Sequence, residues 1–555
     1  MRFLFILLGI ILFIPFCGLS AQNPEWMWAV RGGGTEGEYG NQISTDPDGN
    51  VFVTGWFYSG AGFGATDLAS NGENDIFVAK LDPGGNWLWA TSAGGTSNDY
   101  SEGVATDGSG NIYIAGSFRE TVTFGSTTLS ADYNDVFVAK LDPEGNWLWA
   151  TSAGGSLSDY ALDIAVDTNG NCFVTGGFED VAEFGSTILT VNPEDTMGRD
   201  IFIAKLDTDG NWLWARRAGG ADPDDGKAIT CDSDGNCYVT GVFYDLQADF
   251  GADIFNDNEA DNVFISKLSS GGAWLWTTRA TGIWPCYSYG AGICLDSSGN
   301  VCLTGFFNET ITFGSTTLTC QAFQDIYIAK LSGSGDWLWV TQAGLESYNE
   351  GTGIVTDPSG NIFVTGYFYG SADFGDDTLT SSGVADIFVT ALSPGGNWLW
   401  ARGTGSSDSD SGYGIAAGSG GAVFVTGHFR DKVDFGQTTL VSSGMSDVFV
   451  AKMNTGGVGI EESHGITPPD LGFLSNAWPN PLYTGDQAHF EVKLPCLDRG
   501  TLRIFNLRGQ LIATYRLDPG KHTIEHDFQG NAPGIYLYQL ETQNQRVTKK
   551  LILLK

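Results

Sequence analysis

The sequence predicts an all-β protein: a ring of small sheets closed by its own N-terminal strand, followed by a separate small β-sandwich. Three observations predict it. A unit reading "DGSGNIYIAGSF…TFGSTTL…NDVFVAKLDPEGNWLWATSAGG" recurs, with a Trp-x-Trp landmark at Trp26/Trp28, Trp87/Trp89, Trp147/Trp149, Trp212/Trp214, Trp274/Trp276, Trp337/Trp339 and Trp398/Trp400, successive copies 60 to 65 residues apart. The last copy stops at "DVFVAKMNTGG", and the piece it lacks, "EWMWAVRGGG", stands at the other end of the chain. Glycine is frequent, at 78 of 555 residues, as many short strands and tight turns require. A linear array has no use for the offset, whereas in a ring one blade assembled from both ends locks the circle. The expected fold class is thus a seven-bladed β-propeller over residues 22–455, a linker over 456–473 and a β-sandwich over 474–555.

Residues 1–21 read as a secretory signal, with Arg2, the apolar run "FLFILLGIILFIPF" and "LSA" before Gln22. The run is too short for a membrane span, and no later segment is apolar enough to supply one.

Each repeat reads as four strands: a small-residue strand ("EGVATD"), then "NIYIAGSF", "DVFVAKL" and "NWLWATSA". The middle two are apolar on both faces, as in sheets packed against other sheets. The first two are joined by an Asp-x-x-Gly-Asn turn, from Asp46–Asn50 to Asp357–Asn361. There Asp caps its own turn and Gly takes positive φ; a calcium loop is the rival reading, without the usual ligand spacing. In the last copy Ala417 and Gly421 replace the turn Asp and Asn. Short uniform turns lie at one end of such a meander and long variable loops at the other, so the variable loops share one face, the candidate functional face. The tryptophans could form a sugar-stacking platform, but i/i+2 pairs on one strand face fit packing between sheets better. The recurrent Phe-Gly pairs likewise read as packing with a tight bend.

Candidate functional residues are those that break the repeat. Seven residues before the turn Asp stand Tyr39, Tyr100 and Tyr160, each preceded by an acid, Glu38, Asp99 or Asp159, with Asp224 at the acid position of the next copy. The pattern predicts an acidic crescent near the channel mouth that attracts cations such as Ca²⁺, or cationic ligands, weakly; solvated loop acids are the alternative. Cys231/Cys237 and Cys294/Cys302 flank two turns at facing positions, either as disulfides or as buried thiols. His428 is the one propeller histidine and reads as packed or solvated. With five histidines in the chain and one in the repeats, a histidine-built metal site or a Ser-His-Asp triad is hard to build there, and no catalytic residue is assigned. The formal charge of −38 argues against nucleic acid as a partner.

The unit D-x-x-G-N-x-[YF]-x-[TA]-G-x-F … D-[IV]-[FY]-[VI]-A-K-L … G-N-W-L-W resembles the SBBP β-propeller repeat of secreted bacterial proteins. That resemblance implies a seven-bladed module with no assigned catalysis. The tail, with "AWPNP" at 477–481, "LRIFNLRGQLI" at 502–512, "PGIYLYQLE" at 533–541 and "KKLILLK" at 549–555, resembles the C-terminal sorting domain of type IX secretion. It implies the type IX machinery as partner and delivery of the protein to the medium or the outer surface of a Gram-negative cell. The functional expectation is a non-catalytic surface binding or adhesion scaffold for a glycan or protein ligand. The alternatives are a secreted polysaccharide hydrolase or lyase using the propeller funnel, or a purely structural surface protein.

Overall fold

The computed structural model describes residues 24–455 apart from 193–197, 245–246, 252, 257–261 and 283–284. In the tail it describes 473–474, 482–483, 487–494, 499–506, 510–518, 520–528, 531–541 and 546–554. The signal segment, almost all of the linker, the "AWPNP" motif and Cys496 lie outside these residues.

The chain forms two compact units, Met1–Ile460 and Glu461–Lys555. In the first, β1 (Glu25–Gly34) precedes a four-stranded antiparallel meander of β2 (Glu38–Thr45), β3 (Val51–Phe63), β4 (Thr66–Leu81) and β5 (Trp87–Ala93). Five more meanders follow with the same order of pairing. Their first strands are Asp99–Thr106, Tyr160–Val166, Asp225–Cys231, Ser288–Leu295 and Asn349–Thr356. The last meander has Ser411–Ala417, Ala422–Phe429 and Asp447–Asn454, and β1 completes it. β1 runs antiparallel to Asp447–Asn454 with Ala29 opposite Ala451, and its last residues, Gly33 and Gly34, pair with Gly62 and Ala61 of β3. First strands pack in sequence order, and Ser411–Ala417 packs against β2, so this propeller-like arrangement closes on itself.

The Trp-x-Trp motif holds each meander to the next. The first tryptophan meets the ring of the Phe-Gly phenylalanine edge-on, as in Trp87–Phe63 at 5.1 Å and Trp147–Phe124 at 5.0 Å. Trp26 meets Phe435 at 5.1 Å and 88°, so β1 reproduces the contact of Trp398 with Phe374. Such pairs contribute about 0.5–1.5 kcal/mol beyond the area they bury. The second tryptophan lies over the turn of the following meander, and Trp89 and Trp214 donate their indole N–H to the carbonyls of Pro143 and Ser270 there. Glycine is required under the ring. A Cβ on Gly272, whose φ is +77°, would lie 2.7 Å from Trp214. Lys80, Lys205 and Lys330 bury their stems beside these rings and donate to carbonyls of the same turns.

In the tail, strands Gln487–Leu494 and Gly520–Asp527 pair in a three-stranded sheet with 473–474. A five-stranded sheet contains Gly500–Asn506, Leu511–Leu517, Gly534–Glu541 and Arg546–Leu554. Phe490, Val492, Leu502, Ile504, Tyr538 and Leu551 fill one core between them.

Candidate functional site

The first strand of every meander lines the central channel, and every one carries a β-bulge. In β2 Gly40 faces Gly55 and Gln42 faces Thr54, leaving Asn41 without a partner on β3. The same shift leaves Glu102, Leu162, Lys227, Ala291, Thr352 and Tyr413 unpaired in the other six. A bulge re-aims the side chain it releases. Here all seven released side chains line one cavity of about 490 Å³. Sequence reasoning missed this set, although seven different residue types at one repeat position, two after the tyrosines, is a visible signal.

A second cavity of about 510 Å³ opens beside it, lined by Tyr39, Tyr289, Glu350, Tyr367, Tyr369, Ser409, Tyr413 and His428 among others. Glu350 is held by the hydroxyls of Tyr289 and Tyr367, both donating to it, and burial raises its pKa. Glu102 accepts a 2.8 Å hydrogen bond from the Asn41 amide, and burial lifts its pKa to about 7. Asp163 accepts the N–H groups of Ile164 and Ile229, each at 2.8 Å, and burial lifts it to about 7 as well. Lys227 pairs with Asp225 at 3.1 Å, which also receives the Tyr160 hydroxyl at 2.7 Å and Arg199 at 3.2 Å. Burial lowers His428 to about 4, so this imidazole is neutral at pH 7. It lies 4.5 Å from the Tyr39 ring and 5.4 Å from Tyr413. Trp56 stacks on Tyr39 at 4.3 Å and meets Tyr100 edge-on at 5.6 Å.

The four acids of the expected crescent lie elsewhere. Glu38, Asp99, Asp159 and Asp224 are fully buried in the walls between meanders. They accept the N–H of Gly34, Gly95, Gly155 and Gly220 at 2.7–2.8 Å, each closing a four-residue loop. Each packs against the Asp that opens the third strand of the preceding meander. A Cβ placed on Gly154 would lie 2.5 Å from Asp135 Oδ1 and 2.8 Å from Asp159 Oδ2. The crowded, dry setting raises pKa values: to about 7 for Asp99, Asp135 and Asp159, about 6 for Asp75 and about 8 for Glu38, burial being the largest cause in each. Arg31 and Arg217 enter two of these junctions and pair with Asp447 and Asp200. Ser92 and Ser152 occupy the corresponding register position in the junctions of Asp75/Asp99 and Asp135/Asp159. Tyr39, Tyr100 and Tyr160 follow the acids by one residue and are half-buried; Tyr39 lines both cavities.

The last copy is displaced by one residue from the sequence reading. Gly418, not Ala417, takes the turn-Asp position, its N–H bonding Ala422 as Asp46 bonds Asn50. Asp410 therefore joins the buried acids, accepting the N–H of Arg430 at 2.8 Å. In the regular turns the carboxylate is occupied by the chain's own donors: Asp46 takes the N–H of Asp48 and Asn50 and the Asn50 amide. Cys231 stands opposite Cys237, and Cys294 opposite Cys302, but all four are free thiols in this structure, not disulfides. Among the described residues no group of three or more His, Cys, Asp and Glu is placed to hold a metal ion, and no helix is long and apolar enough to cross a membrane.

The family model for a secretion system C-terminal sorting domain matches residues 476–554, and the β-propeller repeat model matches residues 88–117 and 338–368. The chain thus combines segments similar to the β-propeller repeat with a tail similar to a secretion sorting domain. The matched tail is similar to segments that address proteins to a secretion system. An uncharacterized WD repeat-containing protein of Acanthamoeba polyphaga mimivirus is 23% identical over 508 residues, covering 73% of this chain and 36% of its own length. The regulatory protein FlaEY of Caulobacter vibrioides is 27% identical over 373 residues, covering 64% of this chain and 35% of its own. The repeat protein thus spans about a third of either relative's length. Among solved structures, the Neurospora crassa Pan2 WD40 domain superimposes with a TM-score of 0.40 at 9% identity, covering 80% of this chain and 99% of that one. Dimeric latent PorU of Porphyromonas gingivalis gives 0.14 at 10% identity, covering 82% and 32%.

Proposed function

We propose that the protein is a seven-bladed propeller that works outside the cell as a non-catalytic binding scaffold, its ligand held at the channel mouth. One observation carries the reading. The positions that build the fold repeat almost unchanged from meander to meander. The seven bulge residues, Asn41, Glu102, Leu162, Lys227, Ala291, Thr352 and Tyr413, share nothing but their address. A rigid scaffold with a freely varied, polar and aromatic cavity is the usual build of a binding site. The order of packing of the first strands and the completion of the last meander by β1 support seven blades. The carboxyl groups of the channel are engaged by tyrosine, amide and backbone donors, which supports binding over acid–base turnover.

The test is a glycan and protein array probed with the secreted chain, followed by product analysis on each hit. Saturable binding without product is the expected result. Release of product would establish the polysaccharide-cleaving alternative, and an array with no hit at all would remove the binding reading.

A further inference from the structure

Resting on the binding reading, we propose that the ligand is a linear, uncharged polysaccharide whose chain runs from the channel mouth outward along an aromatic track where the fifth and sixth meanders meet. Tyr367 lines the mouth. The Tyr369 ring lies 6.1 Å from it, Tyr348 lies 6.3 Å from Tyr369, and Phe323 lies 5.5 Å from Tyr348. The steps are nearly even; the first two turn each ring edge-on to the next, at 77° and 72°, and the outer pair lies nearly parallel.

The outer end of the track is held in water. Phe323 is 63% exposed and Tyr348 51%, yet the two rings stack at 18°. A solvent-facing aromatic pair of this kind marks an interaction site. The fold does not demand it: the repeat positions of Phe323 and Tyr348 hold Glu73 and Asn98 where the first two meanders meet. Flat apolar rings suit the C–H faces of sugars, whose hydroxyls then need polar partners at the rim. The mouth offers Ser409, Ser411 and Thr352.

Charge selects among polysaccharides. Among the described residues, Lys227 is the one Lys or Arg lining either cavity, and it is paired with Asp225. His428 is neutral at pH 7. An acidic sugar would meet carboxylates without a free cation. A cationic one would find Glu350 already holding two tyrosine hydroxyls. An uncharged chain meets neither penalty.

The experiment is calorimetric titration of the secreted chain with uncharged β-linked gluco-, manno-, xylo- and N-acetylglucosaminyl hexasaccharides and the matching disaccharides. One series should bind saturably, more tightly as the hexasaccharide than as the disaccharide, with no weakening by added salt. Phe323→Ala and Tyr348→Ala should each lower hexasaccharide affinity about tenfold, the loss of roughly one stacking contact. Disaccharide affinity should stay unchanged and the thermal midpoint nearly so, because both rings lie at the outer, solvent-facing end of the track. Wild-type hexasaccharide affinity in both variants would overturn the track, and failure of every uncharged series would overturn the ligand class. Binding of acidic polysaccharides or proteins alone would also overturn the class while leaving the scaffold reading in place.

Discussion

Raising the pH from about 5 to about 8 should weaken the propeller, and the buried acid pairs set the size of the effect. Asp75/Asp99 and Asp135/Asp159 are the pairs with serine at the register position where Arg31 and Arg217 stand in two other junctions. Asp99 and Asp159 have folded-state pKa values of about 7, raised by burial first and then by the partner aspartate against backbone N–H groups that lower them. Their unfolded value is near 4. Between those values the folded chain binds more protons than the unfolded one, so stability is present at the acid end and falls as pH rises. From pH 5 to the folded value of about 7 lie about 2 pH units, worth at most about 3 kcal/mol per group, and relaxation of the junction on ionisation reduces this to about 2. Asp99 and Asp159 together then remove about 4 kcal/mol, a fall in Tm on the order of 5 °C for a chain of this size. The turn aspartates act with opposite sign. Donors lower the pKa of Asp107, Asp142 and Asp232, so they cost stability only as pH drops below about 4. Stability should therefore peak near pH 5. Asp75→Asn and Asp135→Asn copy Asn262, which holds this position in the fourth meander, and the double variant should flatten the decline above pH 5. Calorimetric scans across pH 4 to 8, about one unit apart, check this. A Tm that rises from pH 5 to 8, or a double variant with the wild-type slope, refutes the argument.

Deleting residues 23–31 removes the fourth strand of the last meander and both Trp26 and Trp28; Tm should fall by ten degrees or more, read by circular dichroism, and an unchanged melt would count against closure. Truncation after residue 473 should leave the propeller folded but retained inside the cell, which surface labelling of intact cells reports. Gly272→Ala places a methyl 2.7 Å from the Trp214 ring at a φ of +77°, and should cost about 2–3 kcal/mol by urea unfolding.

Repetition made the architecture legible. Trp26 and Trp28 standing alone at the N-terminus announced the shared last meander, and the i/i+2 spacing of the tryptophans announced their packing role. The site was legible only in part. Tyr39 is legible because tyrosine recurs at its repeat position, but the acid beside it reads as lying on the channel side. A strand alternates faces, so the residue next to a channel-facing tyrosine points into the wall, where Glu38 lies with no solvent exposure. The bulge then disrupts that alternation two residues later, and the small residue that precedes it in every copy is common elsewhere in the repeats and does not single it out. The channel residues therefore could not be assigned by counting along the strand.

The pairing of β1 with Asp447–Asn454 also orders events in time. The strand made first finds its partner only when the third strand of the last meander exists, more than 400 residues later. Until then its edge stays open, with two tryptophans beside it, and the pairing must close a loop spanning nearly the whole propeller. Such an edge invites pairing with other chains. The sorting domain follows that last strand in the chain. Under the proposed function, a chain cut short anywhere before its final strand carries neither a closed ring nor an export address, so the sequence order would keep unfinished rings from the cell surface.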